Sequence, residues 1–248
     1  MNTQRPIKFV IYGMPRVGSN YLISLLNNFR DILCHYEIFH QNDIYTAFDE
    51  KKIDCDNFSS IIKRNEDPIS FLTNIFDSHF NHKAVGYNLF LHQDNRAYEN
   101  SIKDTTQLKI ILKRKNILKS YISYKLAEES NCWTSREKTS NTKSMTSFIA
   151  EEFEKRAYWI NNLYFNLEKL LSISGQNYFV IYYEDILSNR DSELNRLRAY
   201  LGLTKSIVNH KIELQKQNTD DIRLILSNYD DFNSYFENIM KNLSHTVL

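Results

Sequence analysis

The stretch that decides the fold is Lys8-Phe-Val-Ile-Tyr-Gly13-Met-Pro-Arg-Val-Gly18-Ser-Asn-Tyr-Leu22 (KFVIYGMPRVGSNYL). An apolar run over 8–12 predicts a short buried strand. A six-residue turn bounded by Gly13 and Gly18 follows, then an apolar helix from Ser19 to about Asn28. In a strand–loop–helix of this kind the loop amides and the helix N-terminus converge on one point, which suits an anionic group. The spacing is G-x-x-x-x-G, but Ser19 and Asn20 stand where a nucleotide-binding loop carries Lys-Ser/Thr, and the cation moves into the loop as Arg16. The chain has only 5 Gly among its 248 residues. Two of them flanking Pro15-Arg16 therefore favour an anion site over a plain tight turn.

Outward from this loop, Lys83–Leu91 and Leu108–Leu112 predict further strands, and Tyr178–Tyr182 another. Ile32–Cys34 is strand-like. Helices are expected over 67–80 (Asp67 as N-cap, Pro68 at the first helical position), 116–129, about 149–174 and 192–201, with a helical tail in two pieces from about 220. Gly86 is expected to mark a close backbone approach, and Gly175 and Gly202 to end helices. Strands alternating with helices predict an α/β fold: a P-loop-like parallel β-sheet flanked by helices on both faces, in a single domain over 1–248. Ligands of such sheets sit at the carboxyl ends of the strands. Residues 134–144 are polar and aperiodic and are expected to form an exposed loop, a candidate lid over an acceptor.

Composition narrows the function. The 31 Lys+Arg against 30 Asp+Glu give a net charge of +1, so no whole-molecule field attracts nucleic acid or an acidic membrane, and any anion site is local. Cys34, Cys55 and Cys132 are an odd, scattered set, which argues against a disulfide framework or structural zinc and for a reducing, cytoplasmic setting. No apolar stretch approaches a membrane span, so an integral membrane protein is not expected. A homodimer is compatible with everything in the sequence.

A second basic site follows the third strand. In Lys113–Trp133 (KRKNILKSYISYKLAEESNCW), a cationic strand end runs into a helix on which Asn116, Ser120, Ser123 and Ala127 share one face. Arg114 and Ser123 together could clamp a second phosphate. Glu184 and Asp185, after the fourth strand, are expected to serve the N-terminus of the next helix. Asp185 would be the acidic strand end in the alternative reading, a small-molecule kinase; a non-catalytic nucleotide-binding module is the third.

Taken in order, YGMPRVGSNYL, DILCHYEIFH, KRKNILKSYISYKLAEESNCW, FVIYYEDILSN…LRAYLGL and LQKQNTDDIRLILSNYDDF resemble the motifs of sulfotransferases that use 3′-phosphoadenosine-5′-phosphosulfate (PAPS). The pattern is most similar to the bacterial carbohydrate enzymes of the trehalose and nodulation-factor type. The resemblance implies that Pro15, Arg16, Val17, Gly18, Ser19 and Asn20 hold the 5′-phosphosulfate, and that Arg114 and Ser123 hold the 3′-phosphate. It also implies Glu37 as the base that activates an acceptor hydroxyl, Arg16 as stabiliser of the leaving group, and a carbohydrate or glycolipid as acceptor. PAPS is the co-substrate and no metal is called for. His35 and His40 are the alternative bases, and Cys132 and Trp133 are candidates to line the acceptor site. The sequence departs from the family pattern at Val17 (usually Ser), Asn20 (often Thr), Lys113 (usually Arg), Tyr36 (usually Gly) and Asn88, where a Gly-Phe-Lys triplet is common.

Overall fold

The computed structural model describes residues 5–47, 61–78, 81–133, 145–205 and 221–245. The expected loop 134–144 lies outside them. In chain order the elements are β1 (Ile7–Gly13), α1 (Ser19–Leu26), β2 (Ile32–His35), α2 (Ile61–Glu66), α3 (Pro68–Asp77), β3 (Ala84–Phe90), α4 (Asn95–Lys103), β4 (Leu108–Lys113), α5 (Ile117–Ser130), α6 (Ala150–Ile173), β5 (Tyr178–Tyr182), α7 (Tyr183–Ser188), α8 (Arg190–Tyr200) and α9 (Tyr229–His245), with a short 3-10 turn at Ile222–Leu224. They form two compact units: residues 1–115 with 165–212, and residues 116–164 with 213–248.

The first unit is built on a five-stranded sheet in the order β2-β3-β1-β4-β5, with every pairing parallel. This is the α/β fold that the alternation of strands and helices predicts. Its centre is β1, whose Phe9, Val10, Ile11 and Tyr12 are all fully buried. A strand covered on both faces has no polar side to present, hence the unbroken apolar run. Each such side chain contributes roughly 1.5–3 kcal/mol of burial. Gly86 lies beside Phe9 in the β1–β3 register, and a Cβ there would come within 2.4 Å of the Phe9 ring. The close approach expected of this glycine is present, and an alanine would displace the ring.

Strand order makes β1 the point where the chain changes direction. From β1 the chain passes to β2 at one edge, returns to β3 beside β1, then places β4 and β5 on the other side. The carboxyl end of a strand at such a switch point opens a crevice. Residues 14–18, after β1, and 113–115, at the end of β4, both lie there.

The second unit has its own core. Tyr121, Ile122 and Leu126 of α5 pack with Phe148, Ile225 and Leu226, and Phe153, Tyr229, Phe232 and Phe236 close around them. Asn116 caps α5, its side chain accepting from the Lys119 N–H at 2.8 Å. The small-residue face expected on this helix turns inward: Ser120 and Ala127 are buried and Ser123 is half-buried.

Candidate functional site

The loop after β1 has the strained backbone of a cradle. Arg16 adopts φ +73 and Gly18 φ +95, both in the left-handed region, which costs a non-glycine residue roughly 1–2 kcal/mol. Such strain persists only where the surroundings enforce it. Here the Val17 N–H donates to the Met14 carbonyl at 3.3 Å, the Leu91 N–H donates to the Gly13 carbonyl at 3.2 Å, and Arg114 Nη1 donates to the Arg16 carbonyl at 2.9 Å. Gly18 precedes α1, and the first helical bond runs from the Leu22 N–H to the Gly18 carbonyl. The amides ahead of Leu22 thus have no acceptor within the helix and form the donor set that an anion would take up. Val17 and Ser19 are buried, while Pro15, Arg16 and Asn20 are half-buried.

Tyr183 forms the wall against which the loop is built. A Cβ on Gly18 would fall 2.3 Å from its ring. The Arg114 guanidinium lies over the same ring at 5.1 Å, and Tyr21 meets it edge-on at 6.0 Å. Tyr183 is the second tyrosine of the motif FVIYYEDILSN, but nothing in that motif pointed to its place against the loop.

The basic cluster at the end of β4 divides its labour. Lys113 pairs with Glu168 at 2.8 Å. Arg114 braces the loop. The Lys115 ammonium pairs with Asp185, and the Lys115 backbone N–H donates to Glu184 Oε2 at 2.9 Å. Glu184 and Asp185 do stand in the first turn of α7, but the residue before that helix is Tyr182, with no side-chain cap. The acidic pair ties α7 to the segment after β4 rather than capping the helix. Ser123 lies on α5, in the second unit. Cys132, half-buried, and Trp133, 39% exposed with its ring edge-to-face against Tyr124 at 5.7 Å, follow that helix in the same unit.

Glu37 follows β2 by two residues. Its Oε2 accepts from Gln93 Nε2 at 2.8 Å, and Gln93 is itself held by the Phe90 N–H, which donates to its Oε1 at 3.2 Å. Burial pushes the Glu37 carboxyl up to about 7, while the Gln93 hydrogen bond and the charge of Arg16 pull it back. The structure thus brings Glu37 and Arg16 into electrostatic range. His35 is fully buried and its Nδ1 accepts from the Ala47 N–H at 3.3 Å. His40 Nδ1 accepts from the Asn42 N–H at 3.3 Å, its ring meets Tyr45 at 5.1 Å, and burial lowers its pKa. Both rings are engaged in shaping their own segment.

Asn88, near the end of β3, is fully buried, and among the described residues neither atom of its side-chain amide has a hydrogen-bond partner. Leaving such a group unpaired costs about 1–3 kcal/mol. Its Oδ1 lies 3.9 Å from where a Cβ of Gly13 would be, next to the start of the loop.

A parallel sheet, a glycine-bounded loop at the carboxyl end of its central strand, an arginine inside that loop and a half-buried carboxyl within its electrostatic range come together in the first unit. No family model matches the sequence. The chain is 23% identical over 231 residues to Nodulation protein H of Rhizobium tropici, an alignment covering 93% of this chain and 90% of that protein. Among solved structures, the sulfotransferase from Alicyclobacillus acidocaldarius matches with a TM-score of 0.50 at 18% identity, covering 95% of this chain and 92% of the other. The mouse sulfotransferase SULT7A1 complexed with PAP matches with a TM-score of 0.45 at 12% identity, over 82% of this chain and 61% of that one. The fold is therefore similar to that of sulfotransferases, in keeping with the sequence resemblance to the PAPS-dependent family. Among the described residues no helix is long and apolar enough to cross a membrane.

Proposed function

We propose that this chain is a PAPS-dependent sulfotransferase that moves a sulfuryl group to a hydroxyl of a carbohydrate or glycolipid by in-line displacement, in a reducing, cytoplasmic setting. The observation that carries the reading is Glu37: a carboxyl raised to about 7 by burial, in electrostatic range of Arg16 within the strained Gly13–Gly18 loop. A base working near neutral pH needs a pKa in that range. The uncommitted amide of Asn88 beside Gly13 further supports a polar ligand at this end of the sheet.

The step balances without a metal. The acceptor oxygen bonds to sulfur while the bond from sulfur to the bridging phosphate oxygen breaks. Glu37 takes the hydroxyl proton. The bridging electron pair leaves with 3′-phosphoadenosine-5′-phosphate (PAP), where Arg16 and the amides of Gly18–Asn20 offset the growing charge, with Val17 holding the loop's shape. Pro15 sets the turn, and Arg114 and Ser123 are assigned to the 3′-phosphate on the sequence motif. The acceptor class rests on the motif resemblance, and the similarity to Nodulation protein H supports it.

Isothermal titration with PAP tests the reading. Micromolar binding is expected, with Arg16→Ala and Arg114→Ala each weakening it about tenfold or more, as loss of a charge-assisted phosphate contact does. Wild-type protein should also transfer labelled sulfuryl from PAPS to at least one member of a saccharide panel that includes trehalose and an N-acetylglucosamine oligomer. Lack of PAP binding overturns the proposal. Binding without transfer would leave a nucleotide-binding module, and magnesium-dependent ATP binding lost in Asp185→Asn would indicate a kinase. The ion pair that holds Asp185 to Lys115 favours neither of those readings.

A further inference from the structure

Glu37 opens a segment that folds back on itself, its carbonyl accepting from the His40 N–H at 3.1 Å and the Tyr45 N–H at 3.3 Å. At the middle of that closed turn sits a side chain from elsewhere in the chain. Arg64, on α2, is only 2% exposed. Its Nη1 donates to the carbonyls of Ile38 at 3.0 Å, His40 at 2.7 Å and Asp43 at 3.0 Å. The other edge of the guanidinium, Nε and Nη2, donates to Asn65 Oδ1 at 3.1 and 2.9 Å. Asn65 and Glu66 are in turn approached by Arg96, whose Nη2 donates to the Asn65 carbonyl at 2.6 Å.

A buried guanidinium is expensive, and proteins usually offset the cost with a carboxylate. Here three backbone carbonyls and a neutral amide do most of that work, with the charges of Asp43 and Asp94 acting at longer range. Backbone carbonyls converge on one cation only if the chain is bent to bring them together. The two N–H groups of Nη1 are shared among the three carbonyls, while Nε and Nη2 are held by Asn65. The bend in question is the one that carries Glu37.

We propose that Arg64 is a positioning residue for Glu37: by gathering the carbonyls of Ile38, His40 and Asp43 it fixes the 37–45 turn, and so keeps the half-buried base shielded and aimed at the loop after β1. This rests on the assignment of Glu37 as the base. Among the described residues no hydrogen bond or ion pair joins the Arg64 side chain to Glu37 or to the Gly13–Gly18 loop; its effect runs through the backbone. The charged group acting on the Glu37 carboxyl is Arg16, and Gln93 is the neutral donor on it. Loss of Arg64 therefore acts on Glu37 through solvent access, which moves its pKa down. Loss of a nearby positive charge would move it up, so the sign separates the two.

The test uses Arg64→Ala, Arg64→Lys, Glu37→Gln and the Glu37→Gln/Arg64→Ala double variant, with the panel saccharide that the wild type sulfates and PAPS as donor. Hydrogen exchange should show faster exchange in Arg64→Ala confined to residues 36–46, with the β1 and β3 amides unchanged, and partial recovery in Arg64→Lys. The rate kcat should fall on the order of 10²-fold in Arg64→Ala, the scale expected when a catalytic group drifts by about an ångström. The KM for PAPS should stay within about twofold, since loop and cation are intact. The acid limb of the rate profile should move to lower pH. The double variant should be no slower than Glu37→Gln alone, because both changes disable one group.

A normal kcat in folded Arg64→Ala or Arg64→Lys, alongside a crippled Glu37→Gln, overturns the role of Arg64 and leaves the base in place. A further loss in the double variant equal to that of Arg64→Ala overturns it as well. If Glu37→Gln turns over at the wild-type rate, the assignment of the base has failed instead. Should Arg64→Ala not fold, Arg64→Lys decides on the same readouts.

Discussion

The two ends of strand β2 carry two acidic residues, Asp31 just before it and Glu37 just after it, each within reach of an arginine, and the protein treats them in opposite ways. Asp31 takes Arg198 of α8 directly, both oxygens accepting from Nη1 and Nη2 at 2.8 and 2.9 Å. Arg198 is 2% exposed, lies over the Phe29 ring at 4.5 Å and also donates from Nε to the Thr204 carbonyl at 2.9 Å. The hydrogen bond from Arg198 holds the Asp31 carboxyl below its ordinary range. Among the described residues Glu37 has no such partner; it is given burial, a neutral amide and an arginine at a distance, and its carboxyl rises to about 7. A carboxylate satisfied at close range is fixed in its charge state and can only staple. One whose charged form is under-satisfied can exchange a proton near neutrality. The polarity of a parallel sheet puts the ion-paired carboxyl at the amino end of β2 and the raised carboxyl at the carboxyl end, where the loop after β1 also lies.

The strongest way to break this contrast is to exchange each carboxyl for its amide. Glu37→Gln should cut kcat by roughly 10²–10⁴, the usual span of general-base catalysis, while PAP affinity by titration is retained. Asp31→Asn should leave kcat of the folded enzyme unaltered but lower unfolding stability by roughly 2–3 kcal/mol, somewhat less than for a wholly buried pair, because Asp31 is partly solvated.

The pH dependence of stability should run in opposite directions at the two ends. For Asp31 the folded carboxyl is depressed, so its contribution is intact above the ordinary value of 3.8 and is lost as pH falls through the lower folded value. For Glu37 it is raised, so its contribution is intact below 4.5 and is lost as pH rises through about 7. A displacement of that size corresponds to something of order 3 kcal/mol. Glu37→Gln should accordingly be more stable than wild type at pH 8 in a denaturant titration, and Asp31→Asn less stable at every pH above 4.

Two smaller changes sharpen the carboxyl end. Gly18→Ala forces a left-handed residue to carry a Cβ against the Tyr183 ring and should weaken PAP binding by about tenfold in the same titration. Gln93→Leu removes a hydrogen bond that lowers the Glu37 carboxyl, so the acid limb of the rate profile should shift modestly to higher pH, the reverse of the shift expected for Arg64→Ala.

Much of this was legible in the residues themselves. The buried run Phe9–Tyr12, the helix start at Asp67-Pro68 and the helix stops at Gly175 and Gly202, both at positive φ, follow from local chemistry. The loop and its cation follow from Gly13, Arg16 and Gly18. What sequence could not show was whatever depends on contact between distant segments. Gln93 and Arg64 look like ordinary surface residues until the chain folds around them, 56 residues from Glu37 and 26 from Ile38. The short α4 escaped the periodicity argument because only Ala97 and Ser101 of its residues are buried, although Asp94, accepting from the Arg96 and Ala97 N–H groups at 2.9 Å, was a readable N-cap. For Glu184 and Asp185 position alone suggested helix capping; the basic segment after β4, some 70 residues earlier, claimed them instead.

The central claim is that the carboxyl end of β2 holds a carboxyl that ionises near neutrality. The direct measurement is the pH titration of the ¹³C carboxyl resonance of Glu37 in the ligand-free protein, assigned by its loss in Glu37→Gln. The account predicts a midpoint near 7, far above the titration of Asp31 in the same spectra. A midpoint at the ordinary value of about 4.5 would contradict it.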